Sequence, residues 1–136
     1  MLKRLMFCVF LFSFTISSDA QEQKFQLSSH ILDISRGLPV ANVLIKLEKQ
    51  TANGSWEFIA KNETDKNGRV QNFLPYAKTE NKGIFKLTYF TEPYFNNLKQ
   101  DSFYPFIEVV FQIKDDKHYH VPITLSPYGY STYRGN

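Results

Sequence analysis

The sequence predicts an all-β sandwich of about eight short strands with one short helix. Apolar and polar residues alternate over several short segments, which is typical of strands with one buried face. Turn residues separate these segments, and apolar residues at helical spacing are scarce. The 136 residues suffice for one domain with one core, to which 13 Phe, 8 Tyr and 1 Trp bring large apolar surfaces.

The predicted strands follow one another along the chain. Ala41, Val43, Ile45 and Leu47 share one face of the first of them. Trp56, Phe58 and Ala60 alternate with Glu57, Ile59 and Lys61 in the next segment. The further strand-like segments are 84–90, 107–113 and 119–125. Gly, Pro, Asn and Ser residues predict turns at 36–39, 52–55, 66–68, 81–83 and 126–129.

The one predicted helix begins near Thr91. Thr91 suits an N-cap, Glu92 suits the positive end of a helix, and Pro93 is tolerated in the first turn. The apolar face of this helix would consist of Tyr94, Phe95 and Leu98.

The start of the chain has the pattern of a secretory signal peptide. Lys3 and Arg4 precede an apolar run over 5–16, and Ala20 supplies a small residue for cleavage before Gln21. The apolar run is short for a membrane span, which leaves an uncleaved anchor as the less favoured alternative.

Cleavage there gives a signal peptide at 1–20 and one domain at 21–136. We expect an exported protein, periplasmic or alternatively secreted, with no membrane attachment after cleavage. The only cysteine, Cys8, lies in the leader, so disulfide scaffolds and Cys-rich zinc folds are excluded. The net charge of +3 is too small and too scattered for a nucleic-acid partner.

Candidate chemistry rests on a few side chains, because phosphate-loop, dinucleotide, nucleophile-elbow and zincin motifs are all absent from the sequence. His118 and His120 lie two apart on a predicted strand and share a face. With His30 they would suit a metal, or one of them would serve as acid or base. Arg69 follows a tight turn, where its planar fork would suit a planar anionic or amide-rich ligand.

These pieces together resemble one family, the 5-hydroxyisourate hydrolases, also called transthyretin-like proteins. The resemblance is carried by residues 27–33 with 37–39, by 64–69, and by 118–122 running on through 125–135. It covers nearly the whole of the predicted mature chain, in the order and spacing of the family.

The resemblance implies a transthyretin-like β-sandwich that assembles as a homotetramer, with active sites in the central channel between paired subunits. It implies hydrolysis of 5-hydroxyisourate, the product of urate oxidation, to 2-oxo-4-hydroxy-4-carboxy-5-ureidoimidazoline. It also implies that no metal and no organic cofactor is used.

The family's functional residues are carried over one by one. Its catalytic positions match His30, Arg69 and His120. Its substrate-binding tail matches Tyr133, Arg134 and Gly135, and Asn136 occupies the last position of that tail. The family usually ends in Ser, so the hydroxyl of that Ser is not carried over to Asn136, whereas a terminal carboxylate is.

The residue types fit the implied chemistry. His30 or His120 would act as general base toward water, and the sequence leaves open which. Arg69 and Arg134 would orient the substrate and stabilise an oxyanion, and Tyr133 would wall the pocket and donate a hydrogen bond.

Three alternatives remain at the level of sequence. A carrier of the transthyretin type would bind a small molecule without turnover. A metal-binding exported module would use His30, His118 and His120. A purely structural secreted sandwich is the third, because a fold does not fix a function.

Overall fold

The computed structural model describes residues 24–76 and 81–136. The predicted signal peptide lies outside the described residues and stays a prediction. The elements in chain order are β1 Phe25–Asp33, β2 Leu38–Pro39, β3 Leu44–Gln50, β4 Trp56–Glu63, β5 Arg69–Pro75, β6 Gly83–Tyr89, α1 Glu92–Asn97, β7 Ile107–Ile113, β8 Tyr119–Ser126 and β9 Gly129–Thr132. The predicted all-β sandwich with one short helix is confirmed.

The strands form two sheets. One has the order β4-β3-β6-β7, and the other has the order β2-β1-β8-β9, with β5 also paired to β1. Strand β1 is central to the second sheet: it runs parallel to β8 and antiparallel to β5. The parallel register puts Ser28 opposite His120, and the antiparallel register puts His30 opposite Arg69.

The core lies between the two sheets. In β3 and just before it, Val43, Ile45 and Leu47 are buried as the alternation predicted. In β1, Leu27 and Ile31 are fully buried, so the even-numbered residues 28, 30 and 32 point to the opposite face of their sheet. Full burial of an aliphatic or aromatic side chain contributes about 1.5–3 kcal/mol, so this alternation fixes which face of β1 is available for a site.

The alternation predicted for Trp56, Phe58 and Ala60 is interrupted within β4. The pairing with β3 shifts by one residue: Leu47 lies opposite Ala60, but the next residue, Glu48, lies opposite Phe58. The extra residue is a bulge that moves the segment before it to the outer face of the sheet. Phe58 is therefore 59% exposed, and Lys86 Nζ lies 4.6 Å from the centre of the Trp56 ring on that outer face.

The helix begins at the predicted place but without the predicted side-chain cap. Thr91 occupies the N-cap position, yet its hydroxyl makes no capping hydrogen bond. Within the described ranges, the buried Thr91 Oγ1 has no hydrogen-bond partner at all. The helix is held by Phe95, which is buried in the core. No helix in 24–76 or 81–136 is long and apolar enough to cross a membrane.

Candidate active site

An open groove of about 890 Å³ lies on the face of the β1, β5 and β8 sheet that points away from the core. Three neighbouring strands and the tail supply its walls. The lining residues are Lys24, Phe25, Ser28, Ser29, Arg69, Gln71, Asn72, His118, His120, Tyr133, Gly135 and Asn136. The structure thus brings together five of the seven residues that the sequence analysis assigned to the site, and His30 lies beside them opposite Arg69.

Arg69 is positioned by a rigid turn. The Asp65 carboxylate accepts hydrogen bonds from the backbone N–H groups of Asn67 at 2.8 Å and Arg69 at 2.9 Å. Gly68 has φ +71°, and a Cβ there would lie 2.6 Å from the Ile31 carbonyl oxygen. A glycine is needed because residue 68 lies in the left-handed region of backbone conformation and packs directly against the β1 backbone. The turn holds Arg69 at the first position of β5, directly across from His30.

His120 is held by a serine. Ser28 Oγ lies 2.8 Å from His120 Nδ1 and 2.8 Å from His118 Nε2. His118 Nδ1 lies 3.0 Å from the Phe25 carbonyl oxygen. The prediction that His118 and His120 share a face is confirmed, because one hydroxyl contacts both rings.

The surroundings lower the pKa of both candidate bases. Burial is the main cause that lowers the pKa of His120 below its usual 6.5, and the charges of Arg69, His30 and His118 lower it further. Burial and Arg69 also lower the pKa of His30, against a hydrogen bond with the Asn67 backbone and the charge of Asp65. Because a general base must be unprotonated to act, both shifts favour that role.

The tail closes over His120. The Gly135 N–H donates to the His120 carbonyl at 2.8 Å, which forms a short bridge between the tail and β8. A Cβ on Gly135 would lie 2.5 Å from His120 Cδ2, so only glycine fits against this ring. Tyr133 and Asn136 also line the groove, and Tyr133 is 60% exposed.

Arg134 does not reach the groove. Its guanidinium lies 4.6 Å from the centre of the Tyr119 ring, an arrangement typical of a cation–π contact. Alternate residues of an extended tail point to opposite sides, so Arg134 faces away when Tyr133 and Gly135 line the groove. Its predicted role in orienting a substrate stays a prediction.

Sequence reasoning missed several lining residues, of which Ser28 is the most important. A signal for it was present, because Ser28 lies two residues before His30 and shares its face. What the sequence did not contain was the pairing of β1 with β8, which places the Ser28 hydroxyl between two imidazoles. Lys24, Phe25, Gln71 and Asn72 were also missed.

The described residues contain no group of three His, Cys, Asp or Glu side chains arranged to hold a metal ion. His118 Nε2 and His120 Nδ1 both contact the Ser28 hydroxyl, which occupies the position between them where a shared metal ion would have to lie. A metal module built on these histidines and His30 would need them to rearrange.

Comparison with known proteins adds the family context. The sequence model of the HIUase/Transthyretin family matches residues 27–135. A probable 5-hydroxyisourate hydrolase from Caenorhabditis elegans is 49% identical over 111 residues, which are 81% of each chain. The solved 5-hydroxyisourate hydrolase of Klebsiella pneumoniae aligns with a TM-score of 0.70 at 33% identity, over 84% of this chain and 95% of that one. Sea bream transthyretin, solved in complex with thyroxine, aligns with a TM-score of 0.75 at 30% identity, over 81% of this chain and 94% of that one.

Proposed function

The chain belongs to the HIUase/transthyretin family, and on that premise we propose that it is a hydrolase acting on 5-hydroxyisourate. The proposed product is 2-oxo-4-hydroxy-4-carboxy-5-ureidoimidazoline. The observation that carries the proposal is the placement of the His120 imidazole and the Arg69 guanidinium in one groove, where burial lowers the pKa of His120. A base and a fixed cation beside it are what the hydrolysis of a cyclic amide needs.

His120 is the proposed general base. A water molecule attacks a ring carbonyl carbon while His120 takes one of its protons, a role that typically contributes about 10²–10⁴ in rate. Arg69 stabilises the negative charge that develops on the carbonyl oxygen. The carbon–nitrogen bond then breaks, the proton passes to the departing ring nitrogen, and the other product group is a carboxylate. His30, across from Arg69, is the second candidate for this proton transfer.

Substrate binding is assigned to the rest of the groove. Tyr133 offers a ring face and a hydroxyl, and Asn136 offers an amide to a substrate that is itself rich in amide groups. Gln71 and Asn72 add two further amide side chains. These neutral groups both donate and accept hydrogen bonds. They therefore suit a planar purine-derived ring better than they suit a long apolar ligand.

A homotetramer is the proposed assembly. Strands β7 and β9 each end a sheet, and an unpaired edge favours pairing with another chain. Large apolar side chains near these two edges are exposed in the single chain, at 45% for Phe106, 58% for Val110 and 41% for Tyr130. A second copy opposite the groove would enclose it. Light scattering after size-exclusion chromatography measures the mass, and a monomer at micromolar concentration would contradict this assembly.

Export remains part of the proposal, with residues 1–20 as the leader and 21–136 as the domain. The periplasm is favoured and secretion is the alternative. Mass spectrometry of the protein expressed with its own N-terminus tests it. An N-terminus at Gln21 is expected, and a retained Met1 in the cell interior would contradict it.

The decisive experiment is a turnover assay. Freshly generated 5-hydroxyisourate decays slowly on its own, and its ultraviolet absorbance follows the decay. We expect rapid decay with the purified protein, a loss of about 10²-fold or more with His120→Ala, and no effect of a chelator. A rate equal to the buffer blank would overturn the hydrolase, and tight binding without turnover would favour a carrier. Loss of activity on chelation, restored by added metal, would favour the metal module.

A further inference from the structure

We propose that Ser28 and His118 are positioning residues that hold the proton of His120 on Nδ1 and thereby leave Nε2 free to act as the base. The inference deepens the proposed hydrolase and rests on it. It assigns a role to two side chains that the family resemblance did not place in the site. It also decides which nitrogen of His120 faces the reaction.

The proton positions follow from counting donors along one chain of hydrogen bonds. The Phe25 carbonyl oxygen only accepts, so His118 Nδ1, 3.0 Å away, carries a proton and donates it. In neutral His118 the other nitrogen, Nε2, is then an acceptor. Ser28 Oγ lies 2.8 Å from that Nε2, and its hydroxyl must donate there.

The contact between Ser28 and His120 decides which nitrogen of His120 carries the ring proton. A serine hydroxyl has one hydrogen, which Ser28 has already given to His118, so Ser28 Oγ accepts at its second contact. That contact is His120 Nδ1, at 2.8 Å, and it must carry the ring proton. His120 Nε2 is therefore the unprotonated nitrogen, because the hydrogen bond at one ring nitrogen fixes the state of the other.

The fold makes this arrangement hard to change. Parallel pairing of β1 and β8 sets Ser28 directly opposite His120, and strand periodicity turns His118 to the same side. Ser28 is only 8% exposed, so water does not readily replace either imidazole as its partner. Two of the contacts join residues about 90 positions apart in the sequence, at separations of 90 and 92.

The charged and titratable groups that act on His120 are Arg69 from β5, His30 from β1 and His118 from β8. Of these, His118 shares a hydrogen-bond partner with His120, the Ser28 hydroxyl.

The test compares variants that remove one link each. Ser28→Ala deletes the hydroxyl, Ser28→Thr keeps it, and His118→Phe removes the acceptor that orients it. Ser102→Ala is the matched control, since its half-buried hydroxyl donates to the Tyr104 carbonyl at 3.0 Å, outside the groove. The two readouts are kcat and KM for 5-hydroxyisourate across pH, and long-range ¹H–¹⁵N spectra that report which nitrogen of His120 is protonated.

We expect the wild type above pH 7 to carry the His120 proton on Nδ1. Ser28→Ala and His118→Phe should shift this proton toward Nε2 and lower kcat by about 10- to 100-fold, with KM changed less than about threefold. Ser28→Thr should restore both readouts, and Ser102→Ala should leave both as in the wild type.

Two results would overturn the inference. One is a wild-type spectrum with the His120 proton on Nε2. The other is a Ser28→Ala variant that keeps wild-type kcat and its pH profile. The spectra do not depend on turnover, so they still test the proton position if the wild type fails to hydrolyse 5-hydroxyisourate. In that event the proposed function fails and the hydrogen-bonded chain is judged by the spectra alone.

Discussion

Replacing Gly135 by alanine perturbs the site through one methyl group. A Cβ at this position would lie 2.5 Å from His120 Cδ2, 3.2 Å from Cγ and 3.3 Å from Cβ. The ring is tethered on its far side, where Nδ1 bonds to Ser28 at 2.8 Å. The tail is tethered too, by the 2.8 Å bond from the Gly135 N–H to the His120 carbonyl. The added methyl group must therefore strain one tether or the other.

The size of the effect follows from these distances. Ordinary contact begins at 3.4 Å, so moving from 2.5 Å to 3.4 Å separates the ring from the tail by about 0.9 Å. A misplacement of about 1 Å at a reacting group can cost about 10²-fold in rate, which corresponds to about 2.7 kcal/mol. We expect kcat for 5-hydroxyisourate to fall by that factor in Gly135→Ala.

The control is the same substitution six residues earlier. A Cβ on Gly129 would meet nothing closer than Ser126 Oγ at 3.8 Å, so Gly129→Ala should keep wild-type kcat. Both variants are assayed by the ultraviolet decay of the substrate, with circular dichroism to confirm folding. A folded Gly135→Ala enzyme with kcat within twofold of the wild type would contradict this prediction. It would mean that catalysis does not depend on the position in which Ser28 and the tail hold His120.

Three further predictions address the turn, the charge and the helix. Arg69→Gln removes a charge that lowers the pKa of His30 and His120, so the acid limb of the kcat–pH profile should move to higher pH. Arg69→Lys keeps the charge and should leave that limb in place. It loses the planar, forked contact of the guanidinium, so kcat itself should fall. An Arg69→Lys enzyme with full activity would count against the fork. Gly68→Ala combines φ +71° with a Cβ 2.6 Å from the Ile31 oxygen, so its free energy of unfolding should fall by about 1–3 kcal/mol. Gly54 has φ +86° but open space around it, so the free energy of unfolding should fall less in Gly54→Ala than in Gly68→Ala. Urea titration of both variants at one protein concentration measures this difference. Thr91→Val removes a buried hydroxyl that bonds to nothing in the described residues, so stability should stay equal or rise by up to about 1 kcal/mol, and a loss above 1 kcal/mol would indicate a partner for it.

The local sequence pattern was enough to predict most of the strands and the helix. The strand at 107–113 was predicted with the bounds that the structure gives, and turn residues placed the chain reversals near 36–39, 52–55, 66–68 and 126–129. Both signals act over a few neighbouring residues. The β4 face was missed because a bulge depends on the partner strand. Thr91 marked the start of the helix correctly, but the packing of Phe95 rather than a cap bond holds it.

Short-range pattern in the sequence was sufficient for the strand alternation and for the shared face of His118 and His120. It also contained the residues through which the family resemblance identified His30, Arg69 and the tail. The folded chain was needed to show that β1 runs parallel beside β8, that Ser28 contacts both imidazoles, and that Arg134 lies over Tyr119 outside the groove. The two kinds of information differ in range along the sequence. Alternation is a property of neighbouring residues, whereas the strand register that brings Ser28 to His120 joins positions 92 apart and is fixed by the packing of the whole sheet.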